Sequence, residues 1–305
     1  SFPTARKDEN PGLATVWMRF RITLSDMRRI LVPLVAVALL LSGCSAAQTS
    51  APTKPTVSDA SSLSDAVGLV NMWHVRATKG DDNTSYLRLD RGDLLVWTSC
   101  GMAMGSWDAG EGSFVSSLYG ANNGYCERGH IVGPAWLRSA TSYRFDGPGV
   151  ILTNANGDVV ATLERGGHPP KSKNYTDDWT NAPAITPDVE SYFPKAVPLP
   201  AEAKHAGDIV GRWIPLTDEK LTRSYIYFYA GGTYAAMDGC NPTNGRWALL
   251  PDGRILSTSG LNGQVGCKGT PTDSWLFSAS RVGLVDDHLT FYDATGKKLG
   301  ALERG

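Results

Sequence analysis

Apolar and polar positions alternate in short stretches through the C-terminal two thirds of the chain, and the period is two rather than 3.6. Tyr225-Ile226-Tyr227-Phe228-Tyr229, Leu94-Leu95-Val96-Trp97, Val150-Ile151-Leu152 and Leu289-Thr290-Phe291-Tyr292 are β-branched or aromatic runs bounded by Gly, Asp or Asn, and they predict strands. Asn156-Gly157 and Thr295-Gly296 predict hairpin turns, and Asp252-Gly253 a further turn. A helical turn is expected at Pro134 to Ala140 and again at Thr272 to Ser280, where a Pro or a Thr cap precedes Trp-Leu. Short strands of this kind are expected to close into a small barrel, because closure removes the exposed edges of a sheet.

One segment breaks the alternation. Ile30 to Leu41 is a continuous apolar run of 12 residues, shorter than the roughly 20 that a membrane-spanning helix needs. Met27-Arg28-Arg29 precedes it and Ser42-Gly43-Cys44 follows, which is the order of a charged region, an apolar region and a small-residue cleavage site. Residues 27–43 therefore predict an export signal, with no membrane-spanning helix in the mature chain. Leu41-Ser42-Gly43-Cys44 resembles the lipobox of bacterial lipoproteins, which implies that Cys44 is acylated and becomes the new N-terminus. Multiple acylation would then hold the protein on the outer face of a bacterial membrane, since stable anchoring takes more than one chain. Residues 1–26 show no such pattern and are expected to be an upstream extension, not native or disordered. Residues 44–65, rich in Ser, Ala, Thr and Pro, are expected to be a flexible tether.

The remainder contains an internal repeat. Leu69-Val70-Asn71-Met72-Trp73 matches Ile209-Val210-Gly211-Arg212-Trp213 at an offset of 140, which also carries Gly92 to Gly232, Cys100 to Cys240 and Trp107 to Trp247. The offset becomes 141 at Cys126 and Cys267, then 139 at Trp136-Leu137 and Trp275-Leu276. It is still 139 at the closing tetrapeptides Leu163-Glu164-Arg165-Gly166 and Leu302-Glu303-Arg304-Gly305. Each copy is long enough for a core of its own. The expected organisation is domain one at 66–167, a connector at 168–205 and domain two at 206–305. The fold class follows: mainly β, two tandem small antiparallel β-barrel-like domains, each with one short helix. Seven prolines in the connector exclude a central strand, while Tyr175, Trp179, Tyr192 and Phe193 argue that part of it packs on one domain.

With Cys44 assigned to lipid, the other four of the 5 cysteines fall two to each copy. The simplest connectivity is Cys100 with Cys126 and Cys240 with Cys267. Metal binding is the alternative use of four cysteines, but the chain has no Cys-x-x-Cys and only 5 histidines, and an oxidising compartment favours disulfides. Cys126 and His130 have a ligand-like spacing that copy two does not repeat, so His130 reads as a surface imidazole. No metal site and no cofactor are expected.

Copy two resembles the META/HslJ-type domain family. The opening Ile209-Val210-Gly211-Arg212-Trp213, the central Gly239-Cys240-Asn241, Cys267, Ser274-Trp275-Leu276 and the hairpin from Leu289 through Gly296 to Leu302 stand in that family's order. Copy one departs at Ser99-Cys100-Gly101. The resemblance covers both copies and implies small, mainly antiparallel barrels of lipocalin-like outline in exported or envelope proteins, without established catalysis.

Composition narrows the function. A formal charge of −1 offers no basic field for phosphates, so nucleic acid is not expected as a partner. No Gly-x-Ser-x-Gly, His-Glu-x-x-His or phosphate-cradling glycine motif is present, and no catalytic residue is assigned. Asp286-Asp287-His288 reads as a polar turn, and the twinned Glu164-Arg165 and Glu303-Arg304 as ion pairs or edge charges. Tyr225, Tyr227 and Tyr229 share one face of a strand. Facing out they form a possible binding strip; facing in they are core with satisfied hydroxyls, which is the expectation here. The functional expectation is a non-catalytic cell-envelope lipoprotein acting as a binding or envelope-support module. Its partners would be the membrane, through lipid on Cys44, and an envelope protein or small ligand. The alternative is an inhibitor of an extracellular hydrolase. A third reading, a hydrolytic enzyme, would show itself as a cleft between the copies holding perturbed carboxylates.

Overall fold

The structure is a computed structural model that describes residues 64–79, 85–99, 101–121, 133–171, 176–216, 223–260, 263, 265–266 and 269–305. Cys44, Cys100, Cys126, His130 and Cys267, with the expected export signal and most of the tether, lie outside the described residues. The described residues belong to one compact unit. None of their helices is long and apolar enough to cross a membrane.

Copy one is a closed up-and-down barrel of eight antiparallel strands: β1 (Asn71–Ala77), β2 (Tyr86–Leu89), β3 (Asp93–Thr98), β4 (Gly101–Gly110), β5 (Ser113–Ala121), β6 (Ser142–Asp146), β7 (Gly149–Thr153) and β8 (Val159–Arg165). Helix α1 (Ala135–Ser139) lies between β5 and β6 and buries Trp136 and Leu137. Alternation places Leu87, Leu89, Leu94, Val96, Phe114, Val150, Leu152 and Leu163 inside, so the barrel is filled by side chains.

The connector holds α2 (Asp177–Thr180), α3 (Pro187–Glu190) and the short β9 (Lys204–His205). Copy two follows with β10 (Gly211–Pro215), β11 (Tyr225–Phe228), β12 (Thr233–Met237), β13 (Pro242–Leu249), β14 (Ile255–Ser257), α4 (Thr272–Ser278), β15 (Arg281–Val285), β16 (His288–Tyr292) and β17 (Lys298–Arg304). These form one sheet in the order β14-β13-β12-β11-β10-β17-β16-β15-β9, around a core of Ile226, Phe228, Tyr234, Leu276 and Phe291.

The two sheets share their details. Copy one closes by a bridge at Ser113 and Ser142, with Phe114 N–H donating to Thr141 O and Tyr143 N–H to Gly112 O. Copy two has its bridge at Arg254 and Arg281, with Ile255 N–H donating to Ser280 O and Val282 N–H to Gly253 O. These are the same bonds at the repeat offsets. The closing hairpins also match, for Asn154 and Asp293 each accept two turn amides on one side-chain oxygen. Gly105 and Gly245 sit at twin crossings where a Cβ would fall 2.0 Å from Ser117 O and 2.1 Å from Thr258 O. Only glycine allows so close an approach of two strands.

The first strand of each copy is held by a tryptophan clamp. Trp73 Nε1 donates to Leu69 O at 2.8 Å, and Trp213 Nε1 to Ile209 O at 2.7 Å. The guanidinium of Arg165 lies 5.5 Å from the Trp73 ring centroid, and that of Arg304 lies 4.2 Å from Trp213. The arginines of the two closing tetrapeptides therefore cap the core, while Glu164 pairs with Arg76 at 2.6 Å.

Three expectations need correction. The tyrosines of β11 do not face the core: Ile226 and Phe228 are fully buried, and Tyr225, Tyr227 and Tyr229 point outward. Packing with Trp213 and Phe291 suits the aliphatic and phenyl groups, whereas three hydroxyls inside would each need a partner. The connector packs on both copies rather than one. Phe193 packs at a tilt against Trp107 in the first core, while Val197 O accepts from Arg281 Nε and β9 pairs with β15 in the second. The tether reading, 44–65, runs two residues too far, since Ser64 caps a 3-10 turn at Asp65–Leu69 and its N–H donates to Phe193 O.

Candidate functional site

Side chains fill the core of each copy, and the two copies meet along one face of each sheet. The outer faces of β4 and β5 pack on β13 and β14. Val115 from copy one joins Leu250 and Leu256 from copy two in an apolar cluster. Around it run polar contacts: Ser106 Oγ donates to Ser259 O at 2.6 Å, Ser117 Oγ to Thr258 Oγ1 at 2.9 Å, and Arg246 Nη1 to Arg138 O at 2.6 Å.

Beside this contact is a cavity of about 440 Å³, walled by β4 of copy one, by β14 and the end of α4 of copy two, and by connector residues 191–196. Its volume falls within the roughly 300–1,000 Å³ of ligand pockets. Asp108 projects into it from β4 and accepts from Ser257 N–H of the other copy at 3.0 Å and from Ala109 N–H at 2.8 Å. Asp108 is half-buried, and the desolvation of its carboxyl pushes it up to about 7 against the opposing pull of those two amides and of Arg254. Arg254 is itself 8% exposed and bonded through Nη2 to Glu111 Oε1 at 3.0 Å, while its buried Nε has no partner. Burial, with the charges of Asp108 and Asp93, pushes the Tyr192 hydroxyl up to about 12. Tyr192, Phe193 and Phe277 supply the aromatic wall.

The sign of the Asp108 shift makes a prediction. With its folded value above its unfolded value near 4, the stability that Asp108 allows is complete below about pH 4 and is lost as pH rises through 7. Asp108→Asn keeps an acceptor for Ser257 N–H and carries no charge. The variant is expected to be more stable than the parent by about 1–2 kcal/mol at pH 8, after allowance for water in the cavity, and equal to it at pH 4. Urea midpoints at the two pH values check this.

Of the residues singled out in the sequence, Tyr225, Tyr227 and Tyr229 come together on the outside of β11. The Tyr227 and Tyr229 rings are 4.5 Å apart and Arg212 lies 5.3 Å over Tyr225. Asp286 and Asp287 form the turn between β15 and β16 with φ of 49° and 65°. Cys240 is engaged rather than free. Among the described residues no three His, Cys, Asp or Glu groups converge as a metal site. Asp108, Arg254, Ser257 and Tyr192 were not anticipated. The one signal available was difference between copies, for Asp108 stands where copy two has Ala248, and Arg254 where copy one has Ser113.

Comparison with protein-family models, curated proteins and solved structures finds no match to this chain.

Proposed function

We propose that the chain is a non-catalytic cell-envelope lipoprotein, lipid-anchored through Cys44 on the outer face of a bacterial membrane, whose tandem META-like domains act together as a binding module. The observation that carries this is the cavity: both copies and the connector build it, and a protein that only supported the envelope would need no such space. The lipobox resemblance and the Ser- and Pro-rich stretch after Cys44 supply the anchor and tether.

Disulfides Cys100 to Cys126 and Cys240 to Cys267 belong to the same proposal. Asn241 Nδ2 donates to Val265 O and Val265 N–H to Asn241 Oδ1, both at 2.9 Å. These bonds hold residues next to Cys240 against residues two before Cys267. Cys240 is engaged rather than free, which supports the pairing.

One observation favours a second reading, hydrolysis, since a carboxyl poised near 7 in a cleft suits a general base. Against it, the Ser257 hydroxyl in the cavity donates to Leu276 O rather than to a base.

Native mass spectrometry of the full chain extracted from its membrane tests the proposal. The expected result is an acyl mass lost in Cys44→Ser together with one small molecule held non-covalently per chain. A soluble parent without acyl mass, or a chain that carries no ligand, would overturn it. Turnover of ester or glycoside substrates that disappears in Asp108→Asn would decide for the second reading.

A further inference from the structure

The charges around the cavity do not balance. Arg254 is committed to Glu111 at 3.0 Å, and among the groups acting on Asp108 it is the weakest. The hydrogen bonds to the Asp108 carboxylate come from two neutral backbone amides, one to each oxygen, and Asp108 borders the cavity. Asp293 also lines the cavity, its Oδ1 taken up by Thr295 and Lys297 amides and the Thr295 hydroxyl. The side chains of Tyr192, Phe193 and Phe277 also line the cavity, with Tyr192 edge-on to Phe193 at 5.3 Å. A carboxylate whose nearby cation, Arg254, is shared with Glu111, beside aromatic side chains in a cavity open on one side to solvent, is an arrangement that receives an organic cation: the rings attract positive charge through their quadrupoles and the carboxylate neutralises it.

We propose that the cavity between the copies is a binding site for a small organic ammonium ion, with the Asp108 carboxylate as its counter-ion and Tyr192, Phe193 and Phe277 as its aromatic wall. This rests on the binding-module reading and gives it a ligand class. An anion is disfavoured because the one guanidinium lining the cavity already stands among carboxylates, bonded to Glu111 and acting on Asp108. A neutral apolar ligand would leave the carboxylate desolvated and uncompensated. Binding should depend on pH, because an ammonium needs Asp108 ionised. The other charged groups at the cavity are Arg254, which carries Glu111 as its partner, and Asp293, and Tyr192 stays neutral between pH 6 and 8.

Isothermal titration calorimetry of the full chain with benzylammonium chloride, and with benzyl alcohol as its neutral counterpart, tests this. The expected result is saturable binding of benzylammonium at one site, at least about tenfold tighter than benzyl alcohol, which corresponds to about 1.4 kcal/mol. The affinity should fall about tenfold or more from pH 8 to pH 5 and be lost in Asp108→Asn, with circular dichroism unchanged. The pH series on the unaltered chain keeps the test decisive if the variant fails to fold. Equal affinity for amine and alcohol, or an affinity indifferent to pH and to Asp108→Asn, would overturn the ammonium assignment. If a neutral small molecule still co-purified by native mass spectrometry, the binding-module reading would survive that result; an empty chain there would remove both.

Discussion

Replacing Trp213 by alanine is expected to destabilise the protein by about 4 kcal/mol, the cost of deleting a large aromatic from a packed core. For a body of this size that lowers the melting temperature by roughly 8–16 °C. The side chain is 1% exposed, its Nε1 closes the bond to Ile209 O, and the Arg304 guanidinium rests 4.2 Å over its ring, so its loss opens a void and orphans a carbonyl. Trp73→Ala should match it closely, because Trp73 is fully buried with the same bond to Leu69 O and the same arginine cap. Arg304→Ala, which removes the cap and the guanidinium's exposed bonds to Val210 O and Asp208 O, should cost about 1 kcal/mol. Thermal unfolding of the three variants side by side gives the ranking, and a Trp73 variant far milder than the Trp213 variant would show that the twin clamps are not equivalent.

The second large effect concerns the proposed disulfides. Each closes a loop of about 26 residues, for which restriction of the unfolded chain contributes about 3.5 kcal/mol. Cys240→Ser is therefore expected to lower stability by about that amount, and Cys267→Ser to do the same without adding to it in the double variant. Peptide mapping of the unreduced chain should find Cys240 linked to Cys267. Two single variants whose costs add in full, or a peptide joining Cys240 to Cys100, would contradict the pairing.

Much of the barrel was legible because its determinants are local. Alternation in Leu94 to Trp97 and Val150 to Leu152 follows from one sheet face meeting the core, and Asn156-Gly157 and Thr295-Gly296 are turns wherever such hairpins close. The repeat was legible because residues such as Trp73, Trp213, Arg165 and Arg304 do the same work twice. The facing of β11 was not, since Tyr-Ile-Tyr-Phe-Tyr is apolar on both faces and alternation alone does not say which face goes in. The connector's prolines announced a break in regular structure but not that Phe193 and Val197 would engage different copies.

The candidate site escaped the sequence for a physical reason. It is built where the copies differ, from Asp108, Arg254 and a connector with no counterpart, so recurrence pointed away from it. Asp108 follows a core tryptophan in a strand and reads as an ordinary outward polar residue. Only the packing of β14 over that face turns it into a half-buried carboxylate. Duplication thus accounts for the two scaffolds, and divergence on the facing strands for the space between them.

The account depends most on the two copies forming one body around that shared cavity. Hydrogen exchange of the Trp213→Ala chain, read at the amides of β4 and β5 in copy one, tests it directly. If the copies are coupled through Asp108, Ser257, Val115 and Leu256, a lesion in copy two will speed exchange in copy one by the same free energy that it costs the whole. Exchange at β4 and β5 left unchanged while copy two opens would show two independent barrels, and would contradict the account.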